Sequence, residues 1–469
     1  MPIEKLCKQV NSIGRRCPVC SIVKDGSLFK RNWQSLQVAS VAPLLSDDEI
    51  VRICGALGHR WRRRLFTPAV TIHSLLYRAL HPDKSILNSV KELAGCESVR
   101  KHCSATPGAW CQARDRLPDE VLPTLFRRLA ERVRKHFEQK GLWYGRPACI
   151  VDGTTVSMPD EPILVKTFGR SMSKHGSSRF PLARLVAILQ AGLNIVSDYC
   201  LAPCKVGEQP LFHQMLPRIP RRSVVVTDRH YCGYVNFILA RRKGLDLVSR
   251  LHQRRDPNRL IQQGKPVGHE EWLVRLQLDN AHRRRYVGLN LPRFIRVRLI
   301  RYTYHFRKKK QVLYLLTTLL DAKAYPRKAI VALYRRRQGI ETHYNHLKTT
   351  LAMAVLRSKN PRNIRIEMLA IMLAHNLVWT LMNEAAHRSS RNPERISFAG
   401  AVKVTLAFCA PLRMVDLRKR RKLYRQMLKE IARQRNRYRP NRHEPRLIKR
   451  DCNLYPMLRT SREEARKCA

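Results

Sequence analysis

Acidic residues are scarce in this chain. Only 35 Asp and Glu stand against 91 Lys and Arg, a formal charge of +56 over 469 residues. Such an excess repels itself in a compact state unless a polyanion neutralises it. Long apolar runs are lacking too. The longest, MLAIMLAHNLVWTLM (368–382), falls short of the ~20 residues a membrane span needs and is broken by His375 and Asn376. It reads as a buried core helix, so a membrane is not the expected polyanion. No continuous apolar segment opens the chain, so no secretory leader is indicated. The 14 cysteines lack the dense spacing of a disulfide scaffold, and reduced thiols are expected. Internal repeats are absent. Hydrophobic residues, by contrast, make up 44% of the chain, enough for real cores in roughly two to four domains.

Nucleic acid is the polyanion that fits this balance, with a cytoplasmic, nucleoid-associated location. One cysteine pair stands out, Cys17 and Cys20 in CPVC. Its spacing is that of a zinc knuckle, but a structural zinc site takes four ligands and no second pair is evident.

The pattern divides the chain into an N-terminal extension (1–45), a helical segment (46–140), a mixed segment (145–252), a β-rich insertion (253–321), a returning helical segment (322–390) and a basic C-terminal region (391–469). In the helical segment, Ser46 and Glu49 make a capping box and Thr67-Pro68 a second helix start. Between them HRWRRR (59–64) suits phosphate contact or an exposed loop, and the segment is read as a DNA-binding domain. In the mixed segment, ACIVDGTTVSM, LARLVAILQ and LNIVSDYCL read as three successive strands. They are followed by a helix (GEQPLFHQML), a strand (SVVVTD), a helix ended by Gly244 and another strand (LDLVSRL). That order is expected of an RNase H-like mixed sheet. The insertion alternates with period two around Trp272–Leu278 and Ile295–Leu299, and RKKK (307–310) reads as a turn. In the C-terminal region Leu423, Met427 and Ile431 mark a basic amphipathic helix.

Asp152 ends or nearly ends the first strand, and Asp228 follows the apolar strand SVVVT. Each has an ordinary reading as well: Asp152-Gly153 as a hairpin dipeptide, and Asp228 as a helix cap. A third carboxylate, Glu341, lies in YRRRQGIETHYNHLK (334–348). An unbroken helix would point Tyr334, Arg337, Glu341 and Lys348 into a sector of roughly 60° over about 20 Å. Taken alone that stripe reads equally as solvated surface with an Arg337–Glu341 pair. Together, three carboxylates with few neutralising neighbours repel one another unless cations lie between them. Mg²⁺ prefers such oxygen donors, and two ions roughly 3.5–4 Å apart suit in-line displacement at phosphorus.

At these residues the sequence resembles the insertion-sequence-four family of DDE transposases. Residues 334–348 match its Tyr-x2-Arg-x3-Glu-x6-Lys signature with every spacing intact, and DGTTVSMPD, TDRHYCGYVNF and LKTTLAMAVLRSKNP extend the likeness from about 45 to HEPRLIKR. The resemblance implies an RNase H-like catalytic core, interrupted by the insertion, in which Asp152, Asp228 and Glu341 hold two Mg²⁺ ions, with Mn²⁺ as a substitute. It implies that Tyr334, Arg337 and Lys348 contact phosphates of the transposon end, Arg as a fork and Lys as a point charge. Cut-and-paste transposition follows: binding of terminal inverted repeats, strand cleavage and transfer of 3′-hydroxyls to target DNA. Double-stranded DNA, at element ends and target, is the expected partner, with a homodimer in the synaptic complex. A metal-dependent nuclease of the same fold and a catalytically inactive DNA-binding descendant are the alternatives. Some relatives hold a flipped base on an aromatic of the insertion. Trp272 is the only tryptophan there, and core packing is its competing role. Gly339 departs from helix preference by about 1 kcal/mol relative to alanine, marking either close approach of DNA or a kink.

Overall fold

The computed structural model describes residues 46–62, 65–94, 106–173, 176–306, 309–414 and 417–436. The expectations placed on Cys17 and Cys20, on the turn residues 307–308 and on the tail beyond 436 lie outside these residues.

Helix α1 (Asp47–Ala56) begins where Ser46 accepts a hydrogen bond from the Glu49 N–H at 3.2 Å. Helix α2 (Pro68–Leu80) begins where Thr67 accepts from Val70 N–H, with Pro68 in the first position. Both starts follow the local rules by which side-chain oxygens satisfy orphan helix donors. Helices α3 (Ile86–Ala94), α4 (Pro107–Arg116) and α5 (Val121–His136) complete the N-terminal set.

Strands β1 (Leu142–Trp143) and β2 (Arg146–Ser157), helix α6 (Pro162–Phe168), the short β3 (Met172–Ser173) and β4 (Gly176–Ser177), and strands β5 (Leu182–Gln190) and β6 (Ile195–Pro203) come next. After them α7 (Glu208–Met215), β7 (Val224–Thr227), α8 (Tyr234–Arg242) and β8 (Asp246–Arg250) alternate, as the three-strands-then-alternation pattern anticipates. Gly244 adopts φ +69° and Leu245 N–H reaches back to Ala240 C=O at 3.0 Å. This is a Schellman-type stop that needs the left-handed region glycine enters without strain.

The insertion segment holds α9 (Pro257–Gln262), β9 (Lys265–Gly268), β10 (Glu271–Gln277), α10 (Asn280–Arg285), β11 (Phe294–Phe306) and β12 (Lys309–Thr317). It does not make a sheet of its own. β12 pairs antiparallel with β8, and one sheet runs β6-β5-β2-β7-β8-β12-β11-β10-β9. Period-two patterning identifies strands but carries no information about which edge they join.

Tertiary contacts divide the chain into two units. The sheet unit comprises Phe137–Val156 and Phe168–Asn345. One face of its sheet buries Val151, Val186, Val225 and Leu247 against Phe212 and Met215 of α7 and Phe237 of α8. Each such side chain contributes about 1.5–3 kcal/mol on burial. Trp272 packs against this same core, which favours its packing role.

The helical unit comprises the described residues up to His136, Ser157–Thr167 and those from His346 on. Its axis is α13 (Pro361–Arg388), against which α2, α5, α14 (Phe398–Met414) and α15 (Leu417–Arg433) pack. Helix α13 is long and apolar enough to cross a membrane by length and composition, yet 89% of its most apolar window is buried inside the protein. It is the core helix its broken apolar run suggests. Helix α15 docks through Tyr424, Met427 and Ile431, with the Tyr424 hydroxyl on the Glu384 carboxylate at 2.9 Å.

The signature stretch is not one helix. α11 (Arg327–Arg335) and α12 (Gln338–Asn345) are separate. At their junction the N–H groups of Arg336, Arg337, Gly339 and Ile340 bond to carbonyls three residues back. A π-helical segment, His346–Thr350, follows and contains Lys348. A step of 100° per residue therefore does not hold across 334–348, because 3₁₀ and π turns advance by different angles.

Candidate active site

The sheet unit brings two of the candidate carboxylates to one level. β2 and β7 are parallel neighbours, with Ala148 opposite Val224, Cys149 opposite Val225 and Ile150 opposite Val226. The same offset carries Asp152 opposite Asp228, and adjacent strands lie about 4.7–4.9 Å apart. Asp152 is not at the strand's end, since β2 continues to Ser157. Asp228 does leave its strand, capping a short 3₁₀ turn (Arg229–Tyr231).

Each aspartate uses its Oδ1 to fix its own rotamer. Asp152 Oδ1 accepts Gly153 N–H at 2.8 Å, and Asp228 Oδ1 accepts His230 N–H at 2.8 Å. The Asp228 backbone is tied as well, its carbonyl accepting the Ser249 hydroxyl of β8 at 2.7 Å.

Glu341 lies in the first turn of α12, with its side chain 64% exposed. Arg337 connects it to the strand: Nη1 lies 3.6 Å from Asp152 Oδ2 and Nη2 lies 3.4 Å from Glu341 Oε1. One guanidinium therefore reaches two carboxylates from different elements. Tyr334, 8% exposed, lies in the last turn of α11, where burial pushes its phenol up and the nearby Arg337 guanidinium opposes the rise. Lys348 lies beyond α12 in the helical unit and is half-buried, which pulls its ammonium pKa below the ordinary lysine value.

Electrostatics follow from this crowding. Burial pushes the Asp152 carboxyl up to about 6; the Gly153 N–H and Arg337 oppose the rise, while Asp228 and Glu208 add to it. Burial pulls the Arg337 guanidinium down, but Tyr334, Asp152, Glu341 and Asp228 outweigh it and hold the group above its usual value. Anionic oxygens thus outnumber the cations that face them, the condition under which a carboxylate stays partly protonated or takes up a cation.

Three further residues belong to the site, and the sequence reading did not identify them. The Tyr344 hydroxyl donates to the Asp152 carbonyl at 2.6 Å. It sits one helical turn after Glu341, so it docks the glutamate's helix onto the aspartate's strand. Spacing i,i+3 from Glu341 was the available signal. Glu208 and Tyr231 form the other pair: Tyr231, fully buried, donates to Glu208 Oε2 at 3.0 Å. No local pattern marked Glu208, the first residue of α7.

The transposase DDE domain family matches residues 143–377 of the chain. The chain is similar to the transposase InsG for insertion sequence element IS4 of Escherichia coli strain K12, with 24% identity over 332 residues, 66% of this chain and 70% of that one. It is also similar to the putative transposase InsZ of the same strain, with 29% identity over 134 residues, 28% of this chain and 45% of that one. Among solved structures it is similar to the cryo-EM structure of a piggyBac transposase synaptic complex with hairpin DNA, at 13% identity and TM-score 0.39 over 88% of this chain and 87% of that one.

Proposed function

Because the chain belongs to the DDE transposase family, whose members cleave DNA and transfer its strands, we propose that Asp152, Asp228 and Glu341 form its catalytic carboxylate set and hold the divalent metal cofactor. The observation that carries this reading is the shared level of Asp152 and Asp228 on neighbouring parallel strands, with Arg337 bridging Asp152 to Glu341. The donor set suits the cofactor: all three residues offer hard oxygen ligands, and Asp152 sits where burial and two neighbouring carboxylates disfavour its negative charge unless a cation compensates. Mg²⁺, as a pair of ions, is the cofactor we assign, with Mn²⁺ able to replace it. When bound, the ions activate the attacking oxygen and stabilise the leaving oxygen of an in-line displacement.

The protein's own groups do the positioning. The backbone bonds to Oδ1 hold the two aspartates in fixed rotamers, and Tyr344 fixes the approach of the Glu341 helix. Arg337 has the planar fork that matches a phosphate, and Tyr334 and Lys348 are assigned to the same phosphates, Lys348 as a point charge. The net charge of +56 supplies the sequence-independent affinity for both element ends and target. We assign a cut-and-paste reaction on an RNase H-like core: recognition of terminal inverted repeats, cleavage, and joining of the released 3′-hydroxyls to target DNA by a dimer in the synaptic complex.

The test uses Asp152→Asn, Asp228→Asn and Glu341→Gln in the full chain with end-sequence DNA. Each variant should bind that DNA, yet neither cut nor join it, and EDTA should abolish both steps in the parent protein. An Asp152→Asn protein whose divalent-dependent cleavage is unchanged would overturn the assignment. Cleavage by the parent protein with no joining to target would favour a nuclease.

A further inference from the structure

Glu208 lies across three strands of the sheet. Strands β5, β2 and β7 are consecutive neighbours. The Glu208 carboxylate bonds to groups flanking the middle one on either side: Oε1 accepts from Arg184 Nη1 of β5 at 2.9 Å, and Oε2 accepts from the Tyr231 hydroxyl, three residues past Asp228, at 3.0 Å. Between those anchors it rests on β2 at Gly153. A Cβ built on Gly153 would lie 2.3 Å from Glu208 Cδ and 2.4 Å from its Oε1. Gly153 is not among the residues of positive φ and sits inside β2 rather than in a hairpin. Its lack of a side chain therefore answers to close approach, not to turn geometry.

We propose that Glu208 is a positioning residue of the metal site, holding the Asp152 strand and the Asp228 turn in register through Arg184, Gly153 and Tyr231 while adding a fourth negative charge beside them. The inference rests on the carboxylate assignment of the preceding subsection. Position alone would be served by a neutral amide, whose oxygen accepts from Arg184 while its –NH2 donates to the Tyr231 hydroxyl oxygen. A carboxylate instead keeps a negative charge pressed against the Asp152 strand at Gly153. Such a charge is useful where a divalent cation is to be held, because groups around metal ligands orient them and raise their donor strength.

The experiment measures Mn²⁺ affinity of the DNA-free full chain by electron paramagnetic resonance, beside its melting temperature and the Mn²⁺ dependence of end cleavage. Glu208→Gln should melt close to the parent but bind Mn²⁺ roughly 10- to 100-fold more weakly, the usual effect of losing such a partner. Its half-saturating Mn²⁺ concentration for cleavage should rise in step. Gly153→Ala keeps the charge but displaces the carboxylate, so it should weaken Mn²⁺ binding as well. In a Glu208→Ala background the same glycine substitution should add little, since nothing remains to be displaced. Unchanged Mn²⁺ affinity in Glu208→Gln, or equal effects of Gly153→Ala in both backgrounds, would overturn the proposal. Asp152→Asn, run alongside, separates the two levels. If it loses Mn²⁺ and Glu208→Gln does not, only the role of Glu208 fails; if Asp152→Asn keeps Mn²⁺, the carboxylate assignment itself fails.

Discussion

Replacing Tyr344 with phenylalanine removes one oxygen, and the structure lets the consequence be worked out. That oxygen donates to the Asp152 carbonyl at 2.6 Å from a side chain that is 8% exposed. Losing an intramolecular hydrogen bond costs about 0.5–1.5 kcal/mol, and a carbonyl left buried without a partner raises the cost to about 1–3 kcal/mol. We expect Tyr344→Phe to destabilise the sheet unit by about 2 kcal/mol, a fall in melting temperature of about 4–8 °C at roughly 2–4 °C per kcal/mol. Against a typical stability of roughly 5–15 kcal/mol the protein stays folded at 25 °C, so a rate measured there reports geometry rather than unfolding. Because the bond docks the Glu341 helix onto the Asp152 strand, a misplacement of about 1 Å suffices for a loss of up to about 100-fold in cleavage. Single-turnover cleavage of a pre-nicked end duplex, with DNA affinity measured in parallel, separates the effects. Cleavage at the parental rate in a protein with the expected fall in melting temperature would show that Tyr344 braces the fold without setting the position of Glu341.

Other perturbations test other parts of the protein. Arg298 is fully buried, with its Nε 2.8 Å from Glu271 Oε2 and its Nη1 on the carbonyls of Asp321 and Tyr325. Glu271→Gln should therefore cost about 3–5 kcal/mol in urea unfolding, and pairing it with Arg298→Met should recover much of that loss. Gly339 has open space where a Cβ would go and no positive φ, so Gly339→Ala should stabilise the chain by about 0.5–1 kcal/mol; a lower melting temperature would contradict the open space seen there. In the helical unit, burial pulls His346 down to about 4 and His375 to about 3, with His346 stacked on Phe398 at 4.3 Å. Both imidazoles are neutral when folded, so their contribution is intact above about pH 6.5 and is lost as pH falls toward 4. The two together should remove a few kcal/mol by pH 5. A urea midpoint that is flat from pH 7 to 5 would refute this.

Much of the fold was legible in the linear chain. The caps at Ser46 and Thr67, the stop at Gly244, the strands around Asp152, Val186 and Val225 and the apolar stripe of α15 all express rules acting within a few residues, so period and capping chemistry locate them. The break between α11 and α12 was only hinted at, by the poor helix preference of Gly339, because nothing local says that 3₁₀ bonds at Arg336 and Arg337 end one helix before the next begins. Asp152, Asp228 and Glu341 could be picked out as chemistry-bearing types at motif spacing, but that Asp152 and Asp228 stand level on neighbouring strands could not be read from that spacing.

That alignment depends on a register between β2 and β7, strands separated by 76 positions in the chain, and a slip of one residue would turn Asp152 to the opposite face of the sheet. Glu208 is the sharper case. It carries no pattern of its own, and its importance arises only once β5, β2 and β7 lie side by side beneath it. Composition and short-range periodicity therefore established the polyanionic partner, the helices and strands and the candidate acids. Long-range pairing established which two acids stand level on neighbouring strands and why Gly153 has no side chain, because strand register and close packing are set by residues far apart in sequence.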